Sequence, residues 1–123
     1  MKLDIQKTKR FYDALLSSNL CDCAYCKNYS HEIKAAYPQL SAYLESMGID
    51  IEKPSETMPL EPDSNGNIDY IGVQYIVLGD VQHFQRTRIG DVTIDIATSH
   101  PCTNVKDNHF VIEVYPILLK WVM

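Results

Sequence analysis

Apolar positions recur at helical spacing in the first half of the chain and at strand spacing in the second. Asp4 is placed to cap a helix reaching about Asn19, with Ile5, Tyr12, Leu15 and Leu16 on its apolar side. Positions 6 to 10 are all polar, so the same helix has an alternative start near Thr8. Tyr29, Ile33, Ala36 and Tyr37 then follow the i, i+4, i+7, i+8 stripe of a second helix. Pro38 restricts Tyr37 and ends that helix, and it suits the first turn of a third. Leu40, Tyr43, Leu44 and Met47 repeat at i, i+3, i+4, i+7, and Gly48 followed by Ile49 predicts a left-handed cap closed by an apolar contact.

From Ile51 the pattern changes. Pro54, Pro59 and Pro62 make residues 52–62 poor helix and poor central strand, and Asp63 to Asn67 is a turn cluster. Ile68 to Leu78 is apolar on both sides of a period of two, which predicts an interior strand with Ile71 and Val77 buried on the same face. Gly79-Asp80 and Gly90-Asp91 mark turns, and the polar stretch between them fits an edge strand or a short helix. Val92, Ile94 and Ile96 alternate as a half-buried strand. Residues 98–109 read as a loop. Phe110, Ile112 and Val114 form the last strand, which Pro116 interrupts before an apolar tail, Ile117 to Val122. Helices first and strands after predict an α+β fold: three N-terminal helices packed on a four- to five-stranded antiparallel sheet, with a β-sandwich carrying helical decoration as the alternative.

A length of 123 residues suits a single domain, 1–123, and 46% apolar content with 10% aromatics excludes a disordered tail. A net charge of -5 argues against nucleic acid or an anionic membrane as partner. The longest uncharged stretch, Tyr70 to Gly79, is far below the roughly 20 residues of a membrane helix. The residues from Met1 to Lys7 carry no apolar core of a secretory signal, so a cytoplasmic chain is expected, with its four cysteines reduced. The glycines form no phosphate-binding loop.

Three of those cysteines, Cys21, Cys23 and Cys26, fall within one short segment, and three readings are open for it. In the first, Cys23 and Cys26 have the C-x-x-C spacing that aims two thiolates at one Zn²⁺, Cys21 adds a third, and His31 closes the tetrahedron, with His100 or Cys102 as alternative fourth ligands. In the second, Cys-Ala-Tyr-Cys resembles the dithiol of glutaredoxin-like proteins, and a helix starting near Cys26 lowers its thiol pKa. That family's dithiol follows a strand in a βαβ setting, and here a helix precedes it. In the third, the cysteines simply pack as small apolar side chains.

Elsewhere, His100, Cys102, Asp107 and His109 share one loop, where a Cys–His nucleophile pair needs spatial contact. His83 reads as an ordinary surface residue, and Glu52, Glu56 and Glu61 as a solvated connection. Tyr37, Tyr43, Tyr70 and Tyr75 fit core-facing stripes with hydroxyls reaching an edge. The run Cys21-x-Cys23-x-x-Cys26-x-Asn28-Tyr29, with Tyr37-Pro38, Gly48-Ile49-Asp50 and the strand ending at Gly79, resembles a group of small uncharacterised bacterial proteins, from about Phe11 to Trp121. The resemblance implies that the cysteine segment is one unit and carries no activity over. The reading taken forward is a small non-enzymatic cytoplasmic domain that binds a protein or small molecule, its cysteine segment structural and zinc its candidate cofactor. The alternative is a thiol–disulfide redox protein using Cys23 and Cys26.

Overall fold

The computed structural model describes residues 4–16 and 20–123. Helix α1 (Ile5–Ala14) is capped by Asp4, whose carboxylate accepts from the Lys7 N–H at 3.0 Å. It stops short of Asn19: Leu15 is extended, and residues 17–19 lie outside the described residues. The Lys53 ammonium explains the early end. It donates to the carbonyls of Tyr12 (2.8 Å), which also accepts the Leu15 N–H, and of Leu15 (3.1 Å), and a cation suits the negative end of the helix.

Helix α2 (Ala24–Ala36) buries Asn28, Tyr29 and Ile33, and α3 (Pro38–Ser46) starts on the expected proline. The end of α3 follows the expected cap. Gly48 has φ +86°, Ile49 N–H bonds Leu44 O, and Gly48 N–H bonds Glu45 O.

The strands are β1 (Glu56–Pro59), β2 (Asn67–Leu78), β3 (Thr87–Ile89), β4 (Val92–Ile96), β5 (His109–Tyr115) and β6 (Ile117–Lys120). They form one six-stranded antiparallel sheet in the order β1-β2-β5-β4-β3, with β6 continuing beside β2. The fold is therefore α+β, with one sheet rather than the two of a sandwich.

The count exceeds the expected four to five strands for two reasons. Residues 56–59 do form a strand, an outer one, where Pro59 costs no shared ladder bond. The apolar tail after Pro116 also pairs, as β6. Between the two glycine turns the chain forms both expected elements, a single 3-10 turn (Val81–His83) and β3.

The sheet's main face carries the core. Tyr29, Ile33, Leu40 and Leu44 pack against Ile68, Tyr70, Val73, Tyr75 and Val77 from β2 and Ile112, Val114 and Ile117 from β5 and β6. Tyr75 donates to Ile51 O at 2.7 Å and receives the Tyr29 hydroxyl, so the buried rings are satisfied. The opposite face has a smaller cluster, Ile76, Leu78 and Val111, covered by Phe11, Ala97 and Val105.

Ile71 departs from its expected burial and is 57% exposed. The core side of β2 passes from even positions (Ile68, Tyr70) to odd ones (Val73, Tyr75, Val77). Pairing with β1 steps from Met58↔Gly72 to Pro59↔Tyr70, leaving Ile71 as the extra residue of a β-bulge. A strict period of two cannot cross a bulge. Ile71→Ala is accordingly expected to change stability by less than about 0.5 kcal/mol. Ile68→Ala on the same strand should cost about 2–5 kcal/mol, a contrast read from paired denaturant titrations.

Helical side chains close two strand edges. The Tyr12 hydroxyl donates to Ile76 O (2.7 Å) and accepts from Ile76 N–H (2.9 Å), while Thr8 Oγ1 accepts from Leu78 N–H (3.0 Å). On β6, Tyr37 OH accepts from Leu118 N–H (2.9 Å). Asn28 there takes Lys120 O and Val122 N–H, both at 2.9 Å. Covering an edge this way removes a template for intermolecular pairing. No helix among the described residues is long and apolar enough to cross a membrane.

Candidate metal centre

Cys21 and Cys23 precede α2 outside any helix or strand, and Cys23 is extended, at φ -67°, ψ 161°. Cys23 then serves as the N-cap: its Sγ accepts from the Cys26 N–H at 3.4 Å. The first helical turn brings Cys26 back over Cys23, as residues three apart meet on a helix. Cys21 Sγ donates to Cys23 Sγ at 3.3 Å, and the three sulfurs all lie within 4.8 Å of one another. Thiolates about 2.3 Å from a tetrahedral Zn²⁺ stand roughly 3.8 Å apart, a spacing comparable with the 4.8 Å within which these three sulfurs lie.

The platform under the sulfurs is fixed. The Tyr70 hydroxyl donates to Tyr25 O (2.6 Å), and Tyr25 OH donates to Glu61 Oε1 (2.8 Å). The Tyr25 ring lies 5.5 Å from that of Trp121. Together with the Asn28 bonds to the β6 edge, these contacts set α2 against the sheet. From β1, Thr57 brings its hydroxyl to 3.4 Å from Cys26 Sγ. Sequence reasoning missed Thr57 because the flanking prolines discounted a strand there.

The three sites differ electrostatically. Cys21 and Cys23 are exposed, and Cys26 is half-buried. The Cys23 thiol is held below its usual range, first by the Cys26 N–H and further by the hydrogen bond from Cys21. Burial pushes the Cys26 thiol up to about 12, against the lowering expected for it from the helix start. In metal-free protein near pH 8, iodoacetamide is therefore expected to label Cys23 well before Cys26. Peptide mapping over a time course reads the order, and equal rates would contradict this account of the site.

The other candidates stand outside the group. His31 is exposed on α2, with Nδ1 at 2.7 Å from Glu32 Oε2. His100 Nδ1 lies 2.8 Å from Pro101 O. Cys102 donates to Asn104 Oδ1 at 3.4 Å, and His109 Nε2 sits 2.8 Å from Thr103 Oγ1, so each has a partner other than the other. Glu61 holds Tyr25, and Glu56 accepts from the Thr57 N–H. The side chain of His83 lies outside the described residues.

One of these candidates nevertheless shares space with the cluster. A cleft of about 250 Å³ beside the sulfurs is lined by Cys21, Cys26 and Thr57, by Phe11 and Tyr12, and by Cys102 from the far loop. Three soft sulfur donors and no hard carboxylate in the group suit zinc rather than calcium or magnesium. Among the described residues no other three His, Cys, Asp or Glu side chains gather as closely. The chain matches no protein-family model, no curated protein and no solved structure.

Proposed function

We propose that the chain is a small non-enzymatic binding or interaction domain whose cysteine segment is a structural zinc centre, with Cys21, Cys23 and Cys26 as ligands. The observation that carries this reading is the convergence of three sulfurs, two of them exposed, at the N-terminal end of a helix anchored on the sheet. Cysteines used as apolar filler are buried and need not face one another. The zinc ties the chain before α2 to the helix itself, and such centres contribute about 10–16 kcal/mol in small zinc-finger peptides. The reading assigns the chain to the cytoplasm and its partner to proteins or small molecules rather than nucleic acid or membrane, in keeping with a net charge of -5.

Metal analysis of the purified chain, with thiols counted before and after chelation, tests the proposal. One zinc per chain is expected, with the three clustered thiols becoming reactive once the metal is removed. The lowering of the Cys23 thiol pKa by the Cys26 N–H favours the second reading, a thiol–disulfide protein. Absence of stoichiometric metal, together with a reversible Cys23–Cys26 disulfide, would replace the zinc reading with that one.

A further inference from the structure

We infer that Cys102 is the fourth ligand of this centre, and that metal binding draws residues 100–102 of the loop across the cleft, closing it. The inference rests on the zinc reading above and assigns the one position which that reading leaves open. Three thiolates satisfy three corners of a tetrahedron, and a structural zinc site takes a fourth protein donor. Cys102 lines the same cleft as Cys21 and Cys26. The two histidines have no such placement among the cleft residues, and His31 is paired with Glu32 on an exposed face of α2.

The loop is built to let this segment move. Ser99 is held from below by Gln74, whose Nε2 donates to Ser99 O at 2.9 Å. Thr103 is held by His109 at 2.8 Å and accepts from the Val105 N–H at 3.2 Å. Val105 packs on the second face of the sheet. Between those anchors, the hydrogen bonds of His100 and Cys102 stay within the loop itself, to Pro101 O and Asn104 Oδ1. Swinging Cys102 inward therefore exchanges one weak thiol hydrogen bond for a metal–thiolate bond and leaves Ser99 and Thr103 in place. The thiol proton leaves to solvent as the thiolate binds, and no redox change is involved. Closure couples the α2 N-terminus to the loop over the second sheet face, two regions that line the same cleft. Access to the cleft thereby becomes metal-dependent.

The test uses the full chain and Co²⁺ or Zn²⁺ alone, with Cys102→Ser and His31→Ala as variants. Cys102 is exposed, so its replacement leaves the fold intact. In the wild-type chain, Co²⁺ should give the absorption of a tetrahedral four-thiolate site. Cys102→Ser should still bind, through the three clustered sulfurs, with sulfur-to-metal charge-transfer intensity reduced by about a quarter. Its affinity should fall by more than the roughly 10–100-fold that loss of a supporting partner costs. Zn²⁺ should slow amide exchange at 102–104 in the wild type and leave it unchanged in Cys102→Ser. His31→Ala should match the wild type. If the wild type binds metal while Cys102→Ser keeps the same spectrum, affinity and exchange, the strap is refuted and the three-cysteine centre stands. A His31→Ala change that alone removes a ligand would hand the fourth position to His31. If the wild type binds no metal, the zinc reading itself fails.

Discussion

Gly48→Ala is expected to lower the stability of this protein by about 2–5 kcal/mol, from two separable causes. The first is conformational: φ at Gly48 is +86°, and an L side chain in that region costs about 1–2 kcal/mol. The second is steric. A Cβ at Gly48 would stand 2.5 Å from Ile5 O and 2.9 Å from Lys9 N, both backbone atoms of α1, which cannot rotate away. Helix α1 would have to shift, and with it Thr8 and Tyr12, which close the β2 edge. Gly66 provides the control. Its φ is +77° and nothing lies within 4 Å of its Cβ position, so Gly66→Ala carries the conformational cost alone. Denaturant titration of both variants measures the difference, and equal losses would show that α1 does not press on the end of α3.

Tyr12→Phe should cost about 2–5 kcal/mol although only one oxygen is removed. That hydroxyl serves both the N–H and the C=O of Ile76, inside a region where Tyr12 is 2% exposed. Removing it leaves two buried backbone groups unpaired, at about 1–3 kcal/mol each. Tyr37→Phe removes the same kind of contact from Leu118 at an exposed position, where water takes over, and should cost under about 1 kcal/mol. Amide exchange at Ile76 should accelerate in Tyr12→Phe. A loss no larger than that of Tyr37→Phe would mean that water already reaches the β2 edge.

These two positions show what the sequence made legible. Gly48 was readable because a helix stripe ending at Met47 and resuming contact at Ile49 is a local pattern. The same holds for the Asp4 cap, the Pro38 start and the apolar run of β2. What escaped depends on partners distant in the chain. Lys53 ends α1 from another segment. The bulge exposing Ile71 arises from how β1 pairs with β2. β1 itself was hidden by prolines that an outer strand tolerates. The site divides in the same way. Two residues just ahead of α2 and one in its first turn bring Cys21, Cys23 and Cys26 together locally, so their proximity was readable. The contact of Thr57 with Cys26, the exposure of His31 and the presence of Cys102 in the same cleft depend on the tertiary fold.

The measurement that bears most directly on the proposed zinc centre is X-ray absorption at the zinc edge of the chain loaded with zinc. The account predicts one zinc per chain with a first shell dominated by sulfur at about 2.3 Å. A shell of nitrogen and oxygen at about 2.0–2.2 Å, or a chain that fails to retain one equivalent of zinc, would contradict it.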